Sequence, residues 1–358
     1  MDAVPEGTVA GEDITPAELR LAVRNHALPL EALRYPITPP GLHYLLIHYD
    51  IPAVDADDFR LEVGGAVERP LSLSLDDLRQ RERVAMPVTF ECAGNGRALL
   101  APRPLSQPWL TEAVGTAEWG GTPLAPLLAE AGVRPGAVEA VFAGLDRGIE
   151  GGEPQAYERS LSVADAEGAL LAWEMNGSPL PPQHGFPLRL VVPGWYGMTN
   201  VKWLARITLL EEPFQGYQNA VGYRMYGADG EAGEAVTRML PRSLMVPPGV
   251  PDFMSRERYL EPGPVTLIGR AWSGHGPIER VEVSTDGGAS FADAGLEQPL
   301  GAAAWRGWRF DWDAAAGEHE LCSRATDAAG NTQPLDPAWN LKGYANNAVE
   351  RIPVTVAP

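Results

Sequence analysis

The rhythm of hydrophobic and polar positions changes near residue 247 of this 358-residue chain. Before that point, helical and strand-like spacings are mixed. Thr15-Pro16-Ala17-Glu18 starts a helix, with Thr as N-cap, Pro at the first helical position and Glu three residues after the cap. Leu19, Val23 and His26 then share one face, and Arg20 and Arg24 another. Residues 42–49 read as a strand, 59–63 as an alternating edge strand, and 71–83 contain a short helix. Residues 123–131 predict an amphipathic helix stopped by Gly132. Strands follow at 138–143, 169–175, 188–192 and 201–210, with an open loop at 148–154 and a hairpin turn at Asn176-Gly177. Segment 188–192 is apolar except for Arg189, the pattern of a central buried strand whose arginine needs an anionic partner.

Residues 247–251 read as a linker. Beyond it come short strands at 265–272, 278–284, 305–312, 318–325 and 348–356, separated by Gly- and Asp-rich turns. That spacing is the signature of an immunoglobulin-like sandwich. The fold class is α+β: an arm and helix over 1–35, a domain of mixed sheets with helices over 36–246, and an all-β sandwich over 252–358.

One stretch carries chemistry. Val88-Thr89-Phe90-Glu91 leads an apolar, β-branched run into Cys92-Ala93-Gly94-Asn95-Gly96-Arg97. Gly94 and Gly96 allow positive φ and close approach of another body, and Asn95 tolerates the left-handed region. Arg97 places a positive charge near the sulfur and favours thiolate over thiol. Such a cysteine suits a metal ligand, a nucleophile, or a small buried hydrophobe.

Composition narrows the choices. The net charge of −19 argues against nucleic acid as a partner. No apolar run approaches a membrane span, and the start lacks a basic and apolar leader, so the expected location is the cytoplasm. Two cysteines 230 positions apart make neither a disulfide framework nor a zinc spacing. Against this acidic background, residues 175–210 contain no Asp or Glu, although the average density would place about five there. His184, Arg189, Lys202 and Arg206 lie in that window. A basic island in an acidic protein points to an anionic ligand, or to a buried segment that excludes acids.

Several ordered motifs together resemble the sulfite oxidase family of molybdopterin-dependent enzymes, over about residues 36–358. They are Cys92-Ala93-Gly94-Asn95-Gly96-Arg97, His184-Gly185-Phe186-Pro187-Leu188-Arg189, Val192-Pro193-Gly194 and Val201-Lys202-Trp203-Leu204. In the sandwich they are Ala271-Trp272-Ser273-Gly274 and Trp339-Asn340-Leu341. The resemblance implies a molybdenum cofactor, with Cys92 as the metal's thiolate ligand. It implies pterin contacts from His48, Asp146, His184, Arg189, Asn200 and Lys202. It implies a substrate pocket containing Arg97, Trp109 and the proton-handling Tyr223, with Tyr226 as the fallback, and a sandwich cation, Lys342, reaching the site.

The departures concern substrate. Where the family carries an arginine two residues before His48, this chain has Leu46. An Arg24-Asn25-His26 upstream reads as a decoy on the helix's polar face. Gly96 replaces the first arginine of the cysteine motif, and Lys342 replaces a bidentate arginine. The expected activity is oxo transfer, sulfite oxidation to sulfate foremost, on a small anionic or oxo substrate. The rivals are an S-oxide or N-oxide reductase of the same fold, and a non-enzymatic molybdopterin-binding protein. No Cys-x-x-Cys-His haem signature occurs, so the electron carrier is a separate molecule. The family's use of the sandwich implies a homodimer.

Overall fold

The computed structural model describes residues 13–358; the first twelve residues of the expected arm lie outside the described residues. The helix Pro16–Ala22 forms with its capping box intact, but Leu19 and Val23 are 47% and 83% exposed, so the expected apolar face is not buried. The helix also ends before His26, and Arg24 lies beyond it. What anchors this region is the next stretch, where Leu28, Ala32 and Leu33 enter a core shared with Trp272 and Trp305 of the sandwich. Residues 28–33 are therefore joined to both domains and do not stand apart as an arm.

The first domain has two five-stranded sheets. In one, Leu71–Ser74, Arg60–Gly65, Leu204–Leu210, Glu139–Glu150 and Glu153–Ser162 lie in that order. Arg60–Gly65 pairs parallel with Leu204–Leu210 and antiparallel with Leu71–Ser74, so it is an interior strand where the alternation predicted an edge. The expected loop at 148–154 is instead a tight hairpin: Gly151 and Gly152 take φ of 62° and 83°, the double positive φ of a turn that matches strand twist. Asp146 sits where that pairing is interrupted, between Ala143 and Arg147.

The second sheet contains Val84–Glu91, Val114–Pro123, Leu170–Met175 and Ser178–Pro179, with Arg189–Val191 also on Leu170–Met175. Arg189 is buried, but its strand has only this one neighbour and is not central. Residues 42–49 form no strand. Their backbone groups go elsewhere: the Ile47 N–H donates to Asn25 Oδ1 at 2.7 Å, and the Leu46 carbonyl accepts from Lys202 Nζ at 2.8 Å.

The sandwich has a four-stranded and a six-stranded sheet. It starts earlier than expected. Arg242–Met245 pairs with Gly263–Trp272, and Val250–Pro251, read as linker, pairs with Arg258–Leu260. Of the prolines that predicted a linker, Pro251 occupies an edge strand, where a missing N–H costs little. Among the described residues no helix is long and apolar enough to cross a membrane.

Candidate active site

The cysteine turn follows directly from the register of two strands. Val84–Glu91 pairs antiparallel with Val114–Pro123 up to Glu91 opposite Val114. The chain then turns: the Asn95 N–H donates to the Cys92 carbonyl at 3.0 Å, and the Arg97 N–H to the Gly94 carbonyl at 3.1 Å. Of the two glycines, only Gly96 has positive φ, at 86°. Gly94 is needed for space, since a Cβ there would lie 2.7 Å from the Arg97 guanidinium carbon. Asn95 does not fold onto its own backbone. Its amide donates to Glu91 Oε1 at 3.0 Å and to the Thr111 carbonyl at 2.9 Å, and accepts from the Ala113 N–H at 3.0 Å.

Cys92 lies at the junction of two cavities. Cys92, Leu46, His48 and Tyr223 line both. The inner cavity, with its mouth open to solvent, spans about 660 Å³ and is also lined by Asp146, His184, Arg189, Asn200 and Lys202. The outer chamber opens about 1160 Å³ and is lined by Arg97 and Trp109. Every predicted site residue but one is thus brought to this junction. The exception is Lys342. Its amine donates to the Val221 and Gly222 carbonyls at 2.8 and 2.9 Å, and it lines neither cavity. Its contribution is its backbone carbonyl, which accepts from Arg97 Nε at 2.7 Å. Tyr226 also lies elsewhere, donating to the Val221 carbonyl at 3.0 Å, so of the two candidates Tyr223 is the one that lines the cavities.

The inner cavity is electropositive and short of partners. Arg189 donates to the carbonyls of His184 and Asn200 at 2.9 and 3.1 Å and lies over the Trp119 and Phe90 rings. Among the described residues it meets no carboxylate, and its Nε is left unbonded. The expected anionic partner is therefore not a side chain. Lys202 Nζ donates to the Leu46 and Gln183 carbonyls at 2.8 and 3.2 Å. Burial, then the Arg189 charge, push its pKa down to about 7. Asp146 is pushed up to about 6 by burial, against the pull of Lys202, and its Oδ1 has no partner. Burial lowers His184 far below the usual imidazole range, with His43 and Arg189 adding to the effect. Asn200 spends its side chain on the backbone, accepting from the Val192 N–H at 2.6 Å and donating to the Tyr196 carbonyl at 3.3 Å. It shapes the wall of the cavity.

The sulfur itself is not thiolate-like in isolation. Burial raises the Cys92 pKa, and this outweighs the lowering by Arg97, the Gly94 N–H and the Trp109 indole. The Trp109 N–H has no oxygen or nitrogen acceptor and faces that sulfur. Bonding to a metal ion would offset the burial that favours the thiol.

Sequence reasoning missed several lining residues. His43 is buried, with its Nε2 unbonded and its ring edge-on to His184 at 5.6 Å. Asn25, Gln107, Tyr49 and Glu150 line the outer chamber. Asn25 belongs to the motif read as a decoy. That reading holds for Arg24, which points to the Tyr49 carbonyl at 2.7 Å, and fails for Asn25, which donates to Gln107 Oε1 at 2.9 Å.

Buried cations that meet carbonyls and no carboxylate, an acceptor without a donor and a cysteine open to both cavities fit an anionic pterin cofactor with its molybdenum at Cys92. Comparison with known proteins agrees. Residues 48–218 match the oxidoreductase molybdopterin binding domain, and residues 235–357 the Mo-co oxidoreductase dimerisation domain. Human mitochondrial sulfite oxidase is 38% identical over 343 residues, covering 90% of this chain; the chain spans 62% of that relative's length. Chicken (Gallus gallus) sulfite oxidase is 37% identical over 338 residues, 88% of this chain and 72% of that one. The sulfane dehydrogenase SoxCD of Paracoccus pantotrophus superposes with a TM-score of 0.81 at 28% identity, covering 97% of this chain and 88% of that one. With the junction cysteine, both domains and these relatives in agreement, the chain belongs to the sulfite oxidase family.

Proposed function

We propose that this protein is a molybdenum-cofactor-dependent oxidoreductase that oxidises a sulfur centre, with sulfite to sulfate as the reference reaction. A separate carrier receives the electrons, and the sandwich pairs two copies. The observation that carries the reading is the Cys92 sulfur at the meeting of a cation-rich inner cavity and an open outer chamber. When bound, the cofactor supplies a metal that exchanges two electrons and an oxygen atom drawn from water.

The residues have distinct tasks. Arg189 and Lys202 would meet negative groups of the cofactor, which would offset the burial that disfavours both charges. Asp146 Oδ1, which has no donor among the described residues, would accept from a donor on the cofactor. His43 and His184, held neutral by burial, offer one ring donor or acceptor each. Cys92 loses its proton on ligation. On the outer side, Arg97 is held over the Tyr344 ring and by the Lys342 carbonyl, facing an incoming anion. Tyr157 donates its proton to the Met198 carbonyl at 2.7 Å, so its oxygen accepts from Tyr223. Tyr223, which lines both cavities, can hold and orient a proton at the junction.

Metal analysis with stopped-flow spectroscopy tests the reading. Stoichiometric molybdenum and bleaching of the thiolate-to-metal absorption by sulfite or another sulfur reductant are expected, and Cys92→Ser removes that absorption. Molybdenum bound with an unchanged spectrum in Cys92→Ser would count decisively against the ligand role.

A further inference from the structure

We propose that the outer chamber takes an organic sulfinate, R–SO₂⁻, and that the protein oxidises it to the sulfonate. This rests on the reading above, that oxidation at sulfur occurs beside Cys92.

The charge inventory comes first. Among the described residues lining the chamber, Arg97 is the one arginine or lysine. Two of its nitrogens already donate to protein carbonyls, Nε to Lys342 at 2.7 Å and Nη1 to Gln107 at 3.4 Å. Nearby cations outside the lining are engaged elsewhere: Arg24 and the Lys342 amine donate to carbonyls, Arg103 pairs with Glu18, and Arg159 donates to the Gln218 carbonyl. The chamber also carries the Glu150 carboxylate. Its Oε2 accepts from His48 at 3.1 Å, Tyr49 at 2.6 Å and Gln218 at 2.5 Å, and these bonds hold it ionised against the effect of burial. Glu18, the second carboxylate of the lining, is paired with Arg103. One guanidinium, in a chamber that also holds a carboxylate fixed by three hydrogen-bond donors, suits a singly charged ligand better than a dianion.

Shape and polarity point the same way. Leu46 stands at the junction, with Leu21, Leu105 and Ile149 outward of it. Leu21 and Ile149 are 37% and 70% exposed, an apolar rim that free sulfite could not use. An organic sulfinate is sulfite with one oxygen replaced by carbon. It keeps the pyramidal sulfur, the lone pair and two oxygens. It carries one charge, and its chain can cover the leucines.

The reaction balances as R–SO₂⁻ + H₂O → R–SO₃⁻ + 2H⁺ + 2e⁻. One sulfur–oxygen bond forms with oxygen from water, the carbon–sulfur bond stays intact, and a one-electron carrier takes the two electrons in turn. The two protons leave to solvent.

The test uses molybdenum-loaded protein with ferricyanide as acceptor and sulfite, methanesulfinate and butanesulfinate as substrates. Butanesulfinate should exceed sulfite in kcat/KM by about tenfold or more, each methylene adding about threefold to fourfold. The sulfonate should carry ¹⁸O from labelled water. Calorimetric titration with butanesulfonate and sulfate reads the chamber without turnover, and butanesulfonate should bind about tenfold tighter or better. Ile149→Asp, at an exposed position that cannot compromise the core, should weaken butanesulfonate and spare methanesulfonate. Leu46→Arg should shift preference toward sulfate and sulfite. Sulfite turnover without sulfinate turnover, or sulfate binding as tightly as butanesulfonate, would overturn the proposal and leave the redox reading standing. Protein that binds butanesulfonate selectively but holds no molybdenum would overturn the redox reading, and with it the oxidation proposed here.

Discussion

The Glu91 carboxylate and the Arg242 guanidinium lie 2.7 Å apart, with side chains only 1% and 2% exposed. Glu91 immediately precedes the cysteine, and Arg242 opens the first strand of the sandwich. Glu91 also accepts the Trp272 indole N–H at 2.8 Å, and Arg242 donates to the Asn346 carbonyl. The sandwich therefore fixes the cysteine turn from behind, whatever it does between copies. Arg242→Met leaves a buried carboxylate uncompensated and should cost about 3–5 kcal/mol in urea unfolding. Adding Glu91→Leu should recover part of that loss while molybdenum retention stays low, because the turn has lost its anchor.

Lys202 is a cation whose charge burial disfavours and whose partners are carbonyls. In cofactor-free protein, Lys202→Met removes a desolvated charge and should raise Tm by a few degrees. The same change removes a charge-assisted contact to the cofactor and should weaken its retention by about 10- to 100-fold. Thermal unfolding of the cofactor-free form and pterin fluorescence after dialysis measure the two effects. Opposite signs are the expected result, since a core lysine kept only for structure would lose stability.

The sandwich strands and the chemistry of residues 88–97 and 184–202 were legible because each has a local cause: alternation, turn glycines, a basic window without acids. The outer chamber was not. Its polar wall combines Asn25, Gln107 and Glu150, far apart in sequence and brought together by hydrogen bonds to side chains and loop backbone. Residues 42–49 failed as a strand for the same reason, because distant partners satisfy their backbone groups. Lys342 was misplaced because a sequence gives a residue's identity and not the direction of its amine. The boundary shifted because Arg242–Met245, a short buried strand, carries no pattern that distinguishes one sheet from another.

Gly94 tests how closely the turn is fitted to Arg97. A methyl group there would meet the guanidinium at 2.7 to 2.9 Å. The Gly94 backbone is not left-handed, so Gly94→Ala carries no penalty from φ and acts through contact alone. It should push the Arg97 side chain off its carbonyl partners and lower kcat/KM for an anionic substrate by about tenfold to a hundredfold. Cofactor content and Tm should change little. Steady-state kinetics with molybdenum analysis separates this from a folding defect, and unaltered kinetics would mean that Arg97 does not meet substrate.

Glu350 gives the protein a pH dependence of its own. Its Oε1 accepts from the Thr111 hydroxyl at 2.5 Å, while Oε2 has no partner. Burial pushes its pKa up to about 7 from an ordinary 4.5; the Thr111 bond lowers it, Glu112 raises it and Arg242 lowers it. The folded state therefore holds a proton that the unfolded chain gives up between those values. Unfolding releases that proton, so stability falls as pH rises through the window: the contribution is complete below 4.5 and gone above 7. Glu350→Gln cannot ionise and should be more stable than the parent at pH 8 by about 2 kcal/mol, with little difference at pH 4.5. A weaker slope should remain in the variant, because burial also raises Glu112 and Asp146. Urea midpoints across this range measure both slopes, and parallel profiles for parent and variant would show that Glu350 is ionised in the folded protein throughout.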